Sequence, residues 1–252
     1  HHIIHEIFPE YKRVCKLANM TPLAQVIITA TTHPACQVLR ETLPTFDITT
    51  LHSMLGISVA DDYTTGKISL NTYRAAKVKT PSLIIVDECF VMDYQIRQAL
   101  LALSPDCKIL YVGDKKQMLN VTGRRSGLEK LPTSTLSIIK RSSDVRLVDL
   151  YQQLANNVDT NMFEPIQTVP GVIDWFSPDD MLDFILTTKD IYSIGTYTNA
   201  KSDAIHEFTR ESKGILGVPV KGEKFVLNKS MNADSVHLRG GALIEIDSLV
   251  GI

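Results

Sequence analysis

Short runs of aliphatic and β-branched residues, each closed by polar residues, are what most limit the folds open to this chain. Val26-Ile27-Ile28-Thr29, Leu83-Ile84-Ile85-Val86, Lys108-Ile109-Leu110-Tyr111-Val112, Leu136-Ser137-Ile138-Ile139 and Ile191-Tyr192-Ser193-Ile194-Gly195 read as strands buried on both faces. Between several of them, as at 34–42 and 93–103, apolar residues recur at helical spacing. Strand and helix in alternation predict an α/β fold on a parallel sheet. Ligands of such sheets sit at the carboxyl ends of the strands, and the conspicuous polar residues fall there.

Two interruptions divide the chain. Tyr63-Thr64-Thr65-Gly66-Lys67-Ile68 carries turn chemistry between strand-like flanks, which predicts a small β-hairpin inserted at about 58–80. Residues 1–140 then form a first domain. The sequence turns polar and helical from 141, the expected start of a second α/β domain running to 214. From 215 to 252 short alternating segments read as the start of a β-rich insert. With 252 residues and 44% apolar content, two cores of this size are affordable.

Composition adds mainly exclusions. A net charge of −2 gives no global pull toward nucleic acid, so any such contact must come from local groups in a groove. Cys15, Cys36, Cys89 and Cys107 show no CxxC spacing, which argues against a zinc module and a secreted disulfide framework and predicts a cytoplasmic protein. No apolar run is long enough for a bilayer, so no membrane partner is expected.

The chemistry concentrates at two strand ends. Leu83-Ile84-Ile85-Val86 delivers Asp87 and Glu88 to the sheet's edge. In a nucleotide motor one carboxylate holds Mg²⁺, usually through water, and the other orients the attacking water. Asp87 is the metal candidate and Glu88 the general base; the plain alternative is a solvated strand end. About 25 residues on, Ile109-Leu110-Tyr111-Val112 ends in Gly113-Asp114-Lys115-Lys116-Gln117. A Gln117 amide can donate to a γ-phosphate and report its loss, with Asp114 beside it at the nucleotide; the alternative is an ordinary charged turn. Arg141, after the strand expected at 136–139, is the arginine-finger candidate, against a capping or salt-bridging role.

These motifs and their order resemble a superfamily 1 DNA helicase of the RecD and Dda-like group. Thr29-Ala30-Thr31-Thr32-His33-Pro34-Ala35 looks like motif Ia, and Thr49-Thr50-Leu51-His52-Ser53-Met54-Leu55 like the Thr-x-His-Ser-x-Leu signature. Val86-Asp87-Glu88 resembles motif II, Val112 to Gln117 motif III, Lys140-Arg141-Ser142 motif IV, and Tyr197-Thr198-Asn199-Ala200-Lys201 the segment opening the second motor domain. The resemblance implies two RecA-like domains, ATP and Mg²⁺ at their interface, and an SH3-like β-rich insert. It further implies translocation on single-stranded DNA, 5′ to 3′, and replication or recombination partners in a bacterial or phage-infected cytoplasm. By the same analogy Thr31, Thr32, His33, Thr50, His52, Thr198 and Asn199 lie along the DNA, where hydroxyls and imidazoles suit phosphate and sugar contacts. Thr31 and Thr32 could equally cap the helix at Pro34, and His52 could be a core histidine. The hairpin around Gly66 resembles a strand-separating pin, against a surface hairpin of no special use; Arg124 and Arg125 form a basic loop that reads as a phosphate contact, against the default of a solvated loop.

The match departs in one place that matters. The family's Gly-rich phosphate loop belongs ahead of the Val26 strand, yet no glycine precedes Gly56. The final family motifs do not appear either. Three readings account for this: residues missing between about 7 and 21, a fragment, or a relative that does not hydrolyse ATP. The first two agree better with Asp87, Glu88, Gln117 and Arg141 standing together. The alternative function is a non-catalytic helicase-like module that binds DNA or protein; a small kinase is disfavoured by the Thr-x-His-Ser segment.

Overall fold

The computed structural model describes residues 1–62, 67–103, 105–117, 126–140, 142–188, 194–196, 198–227, 231–233, 236–238 and 242–248. The chain divides into two compact units, His1–Leu136 and Ser137–Ile252.

The first unit opens with a π-helical turn, Ile3–Ile7, that runs directly into α1 (Phe8–Leu17). The Tyr11 hydroxyl accepts from the Leu23 amide at 3.2 Å and Lys12 Nζ donates to the Ala24 carbonyl at 3.1 Å, so α1 is tied to the approach of β1 (Gln25–Ala30). There follow α2 (His33–Thr42), β2 (Thr49–Thr50), α3 (Leu51–Leu55), the hairpin β3 (Ile57–Asp62) and β4 (Lys67–Thr72), β5 (Ser82–Asp87), α4 (Tyr94–Leu101) and β6 (Lys108–Tyr111).

Strands β2, β1, β5 and β6 lie in that order in one parallel sheet. The apolar runs are continuous because both faces are covered. Along β5, Ile84 and Val86 enter a cluster with Leu51, Met54, Cys89, Ile96 and Leu100, while Ile85 enters the opposite one with Ile4, Ile28, Cys36, Leu43 and Ile48. Alternate residues point to alternate faces, and each fully buried aliphatic side chain contributes on the order of 1.5–3 kcal/mol. The predicted mixed α/β fold with a parallel sheet is what forms, consistent with a RecA-like domain.

The hairpin also forms, with Ile57 opposite Thr72 and Asp62 opposite Lys67; its turn, 63–66, lies outside the described residues. Its base depends on Gly56, where φ is +71° and a Cβ would stand 2.3 Å from the Arg74 carbonyl oxygen. Arg74 in turn donates to the Ser53 carbonyl at 2.7 Å, locking the hairpin's exit onto α3.

One expected strand fails. Leu136-Ser137-Ile138-Ile139 pairs with nothing among the described residues, and Leu136 is 98% exposed. Strand preference is a preference for a pleated, half-buried surface, and an apolar run without a neighbouring strand does not make one.

The second unit holds α5 (Val145–Thr160), α6 (Pro178–Thr187) and α7 (Asn199–Ser212), then β7 (Lys224–Val226), β8 (Met231–Ala233), β9 (Val236–Leu238) and β10 (Leu243–Glu245). β7 pairs antiparallel with β10, and β8 with β9, so the C-terminal segment is β-rich as read from its alternation. Of the strand expected at 191–195, residues 191–193 lie outside the described residues and Ile194-Gly195 are not in a strand. No parallel pairing occurs among the described residues of this unit.

Candidate functional site

Parallel register brings the polar residues to one line. Ala30 stands beside Asp87 and Thr50 beside Ala30, so β2, β1 and β5 end level with one another. Val86 stands beside Tyr111, and the Val112 amide extends the pairing by donating to the Val86 carbonyl at 2.9 Å. The carboxyl edge of the sheet therefore carries Thr50, Thr31, Asp87, Glu88 and the start of the 113–117 loop.

Asp87 is the last residue of β5, and its Oδ1 accepts from the Glu88 amide at 3.0 Å, which orients the carboxyl group. Glu88 follows in the left-handed region, φ +52°, where a side-chain-bearing residue costs on the order of 1–3 kcal/mol. The surroundings hold it there. Its carbonyl accepts from the Val91 amide at 3.2 Å and from the Thr31 hydroxyl at 3.0 Å, and the next amide, of Cys89, donates to the Val112 carbonyl at 3.0 Å. Cys89 is buried, and burial pushes its thiol up to about 11, so it is an inert packing group.

Gly113 allows the second half of the site to approach. A Cβ there would lie 3.0 Å from Cys89 Sγ and 3.1 Å from both Cys89 N and a Phe90 ring carbon. The loop after β6 is thus pressed against the Asp87–Cys89 turn. Within it Asp114 acts as a turn cap: its carboxylate accepts from the Lys116 amide at 2.9 Å and from the Gln117 side-chain amide at 3.3 Å. Gln117 is exposed and reaches its partner within its own loop.

The other predicted contacts divide by role. Thr32 caps α2, accepting from the Ala35 amide at 3.4 Å; Thr50, buried, caps α3, accepting from the Ser53 amide at 3.2 Å. Such caps contribute about 1 kcal/mol each. Thr31 caps nothing and turns toward Glu88 instead. His33 is the first residue of α2, and His52, half-buried in α3, has its pKa lowered by burial, with Asp93 opposing and His33 reinforcing the shift. His52 is accordingly a neutral imidazole at pH 7, able to donate or accept but carrying no charge for a phosphate. In the second unit Thr198 caps α7, accepting from the Lys201 amide at 3.2 Å, and Asn199 is the helix's first residue. Arg141, Arg124 and Arg125 lie outside the described residues.

Three residues with positioning roles were not singled out from sequence. Asp93 caps α4, accepting from the Ile96 amide at 2.8 Å, and Arg97 donates to the Ser126 carbonyl, fixing the chain where it is next described after Gln117. Asp93 had a readable signal, a carboxylate three residues ahead of an apolar helical position. Gly113, directly after an apolar strand, had one too, whereas Arg97 had none.

Asp87 suits magnesium held through water, with the remaining coordination from nucleotide phosphates, the arrangement in which Mg²⁺ uses one or two carboxylates. Among the described residues no group of three or more His, Cys, Asp or Glu could hold a metal by protein ligands alone. Bound there, Mg²⁺ would neutralise charge on the phosphates. The sequence before β1 supplies no Gly-rich turn to grip them.

Residues 2–123 match the family model of an AAA domain, just under half of the 252 residues. The match supports a P-loop NTPase-like assignment for this segment, within a superfamily 1 helicase-like family, and nucleoside triphosphate hydrolysis as the general activity. No curated protein matches the chain. No helix among the described residues is long and apolar enough to cross a membrane.

Proposed function

We propose that this chain carries the motor of an ATP-dependent helicase of the RecD and Dda-like group, translocating 5′ to 3′ on single-stranded DNA. One observation carries the reading: Asp87 and Glu88, at the end of a central strand, are packed against the loop that presents Gln117. Asp87 would hold Mg²⁺, which would supply charge neutralisation at the phosphates; Glu88 would accept the proton of the attacking water, and the Gln117 amide, now on Asp114, would be free to donate to the γ-phosphate. Arg141 supplies the finger that neutralises charge on the transferring phosphoryl group. Thr31, Thr32, His33, Thr50, His52, Thr198 and Asn199 remain the DNA contacts of the proposal, with residues 141–214 opening a second motor domain. Replication or recombination proteins in the cytoplasm are the corresponding partners.

In the full-length protein Glu88→Gln removes the base and keeps the side chain's shape. Turnover of ATP falls by about 10²-fold or more, while affinity for ATP and for single-stranded DNA is retained. Wild-type turnover in this variant overturns Glu88 as the base.

A second reading rests on the absence of any glycine before Gly56: a module that docks DNA or a replication protein without nucleotide chemistry. Such a module binds DNA with no dependence on Mg·ATP.

A further inference from the structure

We propose that Thr31 is the positioning residue for Glu88, and so joins the threonine-rich edge of β1 to the hydrolytic turn; the proposal rests on the reading of Glu88 as the base. The register makes it geometrically necessary that these two residues meet. β1 and β5 run parallel with Ala30 beside Asp87, so the next residue on each strand, Thr31 and Glu88, are neighbours just past the sheet. The Thr31 amide continues the ladder to the Asp87 carbonyl at 3.3 Å, and its hydroxyl donates to the Glu88 carbonyl at 3.0 Å.

That hydroxyl matters because Glu88 sits at φ +52°, a conformation that persists only when its neighbours hold it. A left-handed residue turns its carbonyl out of the strand ladder. One lone pair of the Glu88 oxygen is taken by the Val91 amide, within the same turn, and the other by Thr31, from a different strand. Thr31 is therefore the tie that fixes the turn to the sheet from the β1 side, as the Cys89 amide on Val112 fixes it from the β6 side. Removing the hydroxyl leaves the Glu88 carboxylate attached to a turn with one tether fewer. Displacements of about 1 Å in a reacting group cost on the order of 100-fold in rate.

The test uses the full-length protein and compares Thr31→Val, which deletes the hydroxyl at nearly constant shape, with Thr31→Ser, which keeps it. ATP turnover is measured at saturating single-stranded DNA, with Glu88→Gln alongside and each variant's melting temperature recorded. With DNA saturating, Thr31→Val lowers kcat by about 10- to 100-fold with KM for ATP within about twofold, and Thr31→Ser stays within about threefold of wild type. Should Thr31→Val fail to fold, Thr31→Ala is read in its place. Unchanged kcat with a raised DNA requirement makes Thr31 a DNA contact only and overturns the proposal. So does equal loss in the Ser and Val variants. If Glu88→Gln itself turns over normally, the reading of the base fails and takes this inference with it; loss in Glu88→Gln beside wild-type kcat in Thr31→Val sinks the tie alone.

Discussion

The two units of this chain are held together by different means. Every buried apolar side chain among the described residues except Ile205 lies in the first unit, where a four-stranded sheet is packed on both faces. In the second unit α5 and α6 bury no residue, and the visible restraints are polar. Arg210 spans from α7 to Glu223 at 2.7 Å and to the carbonyls of Gly217 and Val218 at 3.0 Å. Burial alone would raise the Glu223 pKa, but the Val220 amide and the Arg210 guanidinium outweigh it and the net shift is downward. The candidate site, which needs its atoms closely fixed, lies on the apolar unit, while the second unit shows caps and latches such as Thr198 at the start of α7.

The largest expected difference is in core truncation. Leu100→Ala, at a fully buried position in α4, destabilises the first unit by about 2–5 kcal/mol, whereas Val158→Ala, 54% exposed in α5, changes stability by about 0.5 kcal/mol or less. Denaturant unfolding followed by hydrogen exchange in β5 for the first unit, and by the fluorescence of Trp175 for the second, reads the two separately. Similar losses for both substitutions would remove the distinction.

A smaller effect separates the units by pH. His52 has a folded pKa below its ordinary 6.5, so the unfolded state takes up the proton first, and the first unit loses this contribution as pH falls from 6.5 through the folded value. Glu223 is lowered from 4.5, so its contribution to the second unit is intact until the pH drops below that value. Between these limits acid weakens the first unit through His52 while the Arg210–Glu223 contact persists. His52→Gln flattens the first unit's profile below pH 6.5 and leaves Trp175 fluorescence unfolding unaltered; a profile unchanged by this substitution would show that the imidazole is not the source.

Much of the first unit was legible in the residues. The runs at Val26, Leu83 and Lys108 became β1, β5 and β6 because each is buried on both faces, the condition their apolar continuity encodes. The same reasoning misplaced Leu136 to Ile139, since composition cannot say whether a pairing partner exists. Asp87, Glu88 and Gln117 were placed at strand ends by pattern alone, and the sheet brings their loops together. What the pattern could not carry was register. Thr31 has the residue type of a cap or a phosphate contact, and only the alignment of Ala30 with Asp87 turns its hydroxyl to Glu88. Gly113 likewise gains its meaning from Cys89, whose Sγ would lie 3.0 Å from a Cβ there and would have to give way to a methyl group.

Titration of the full-length protein with Mg·ATP, with and without single-stranded DNA, tests the motor most directly. The account predicts a dissociation constant on the order of micromolar, about −8 kcal/mol, and ATP turnover that rises when DNA is added. DNA binding without measurable affinity for Mg·ATP would contradict it and leave Asp87 and Glu88 as the solvated end of a strand.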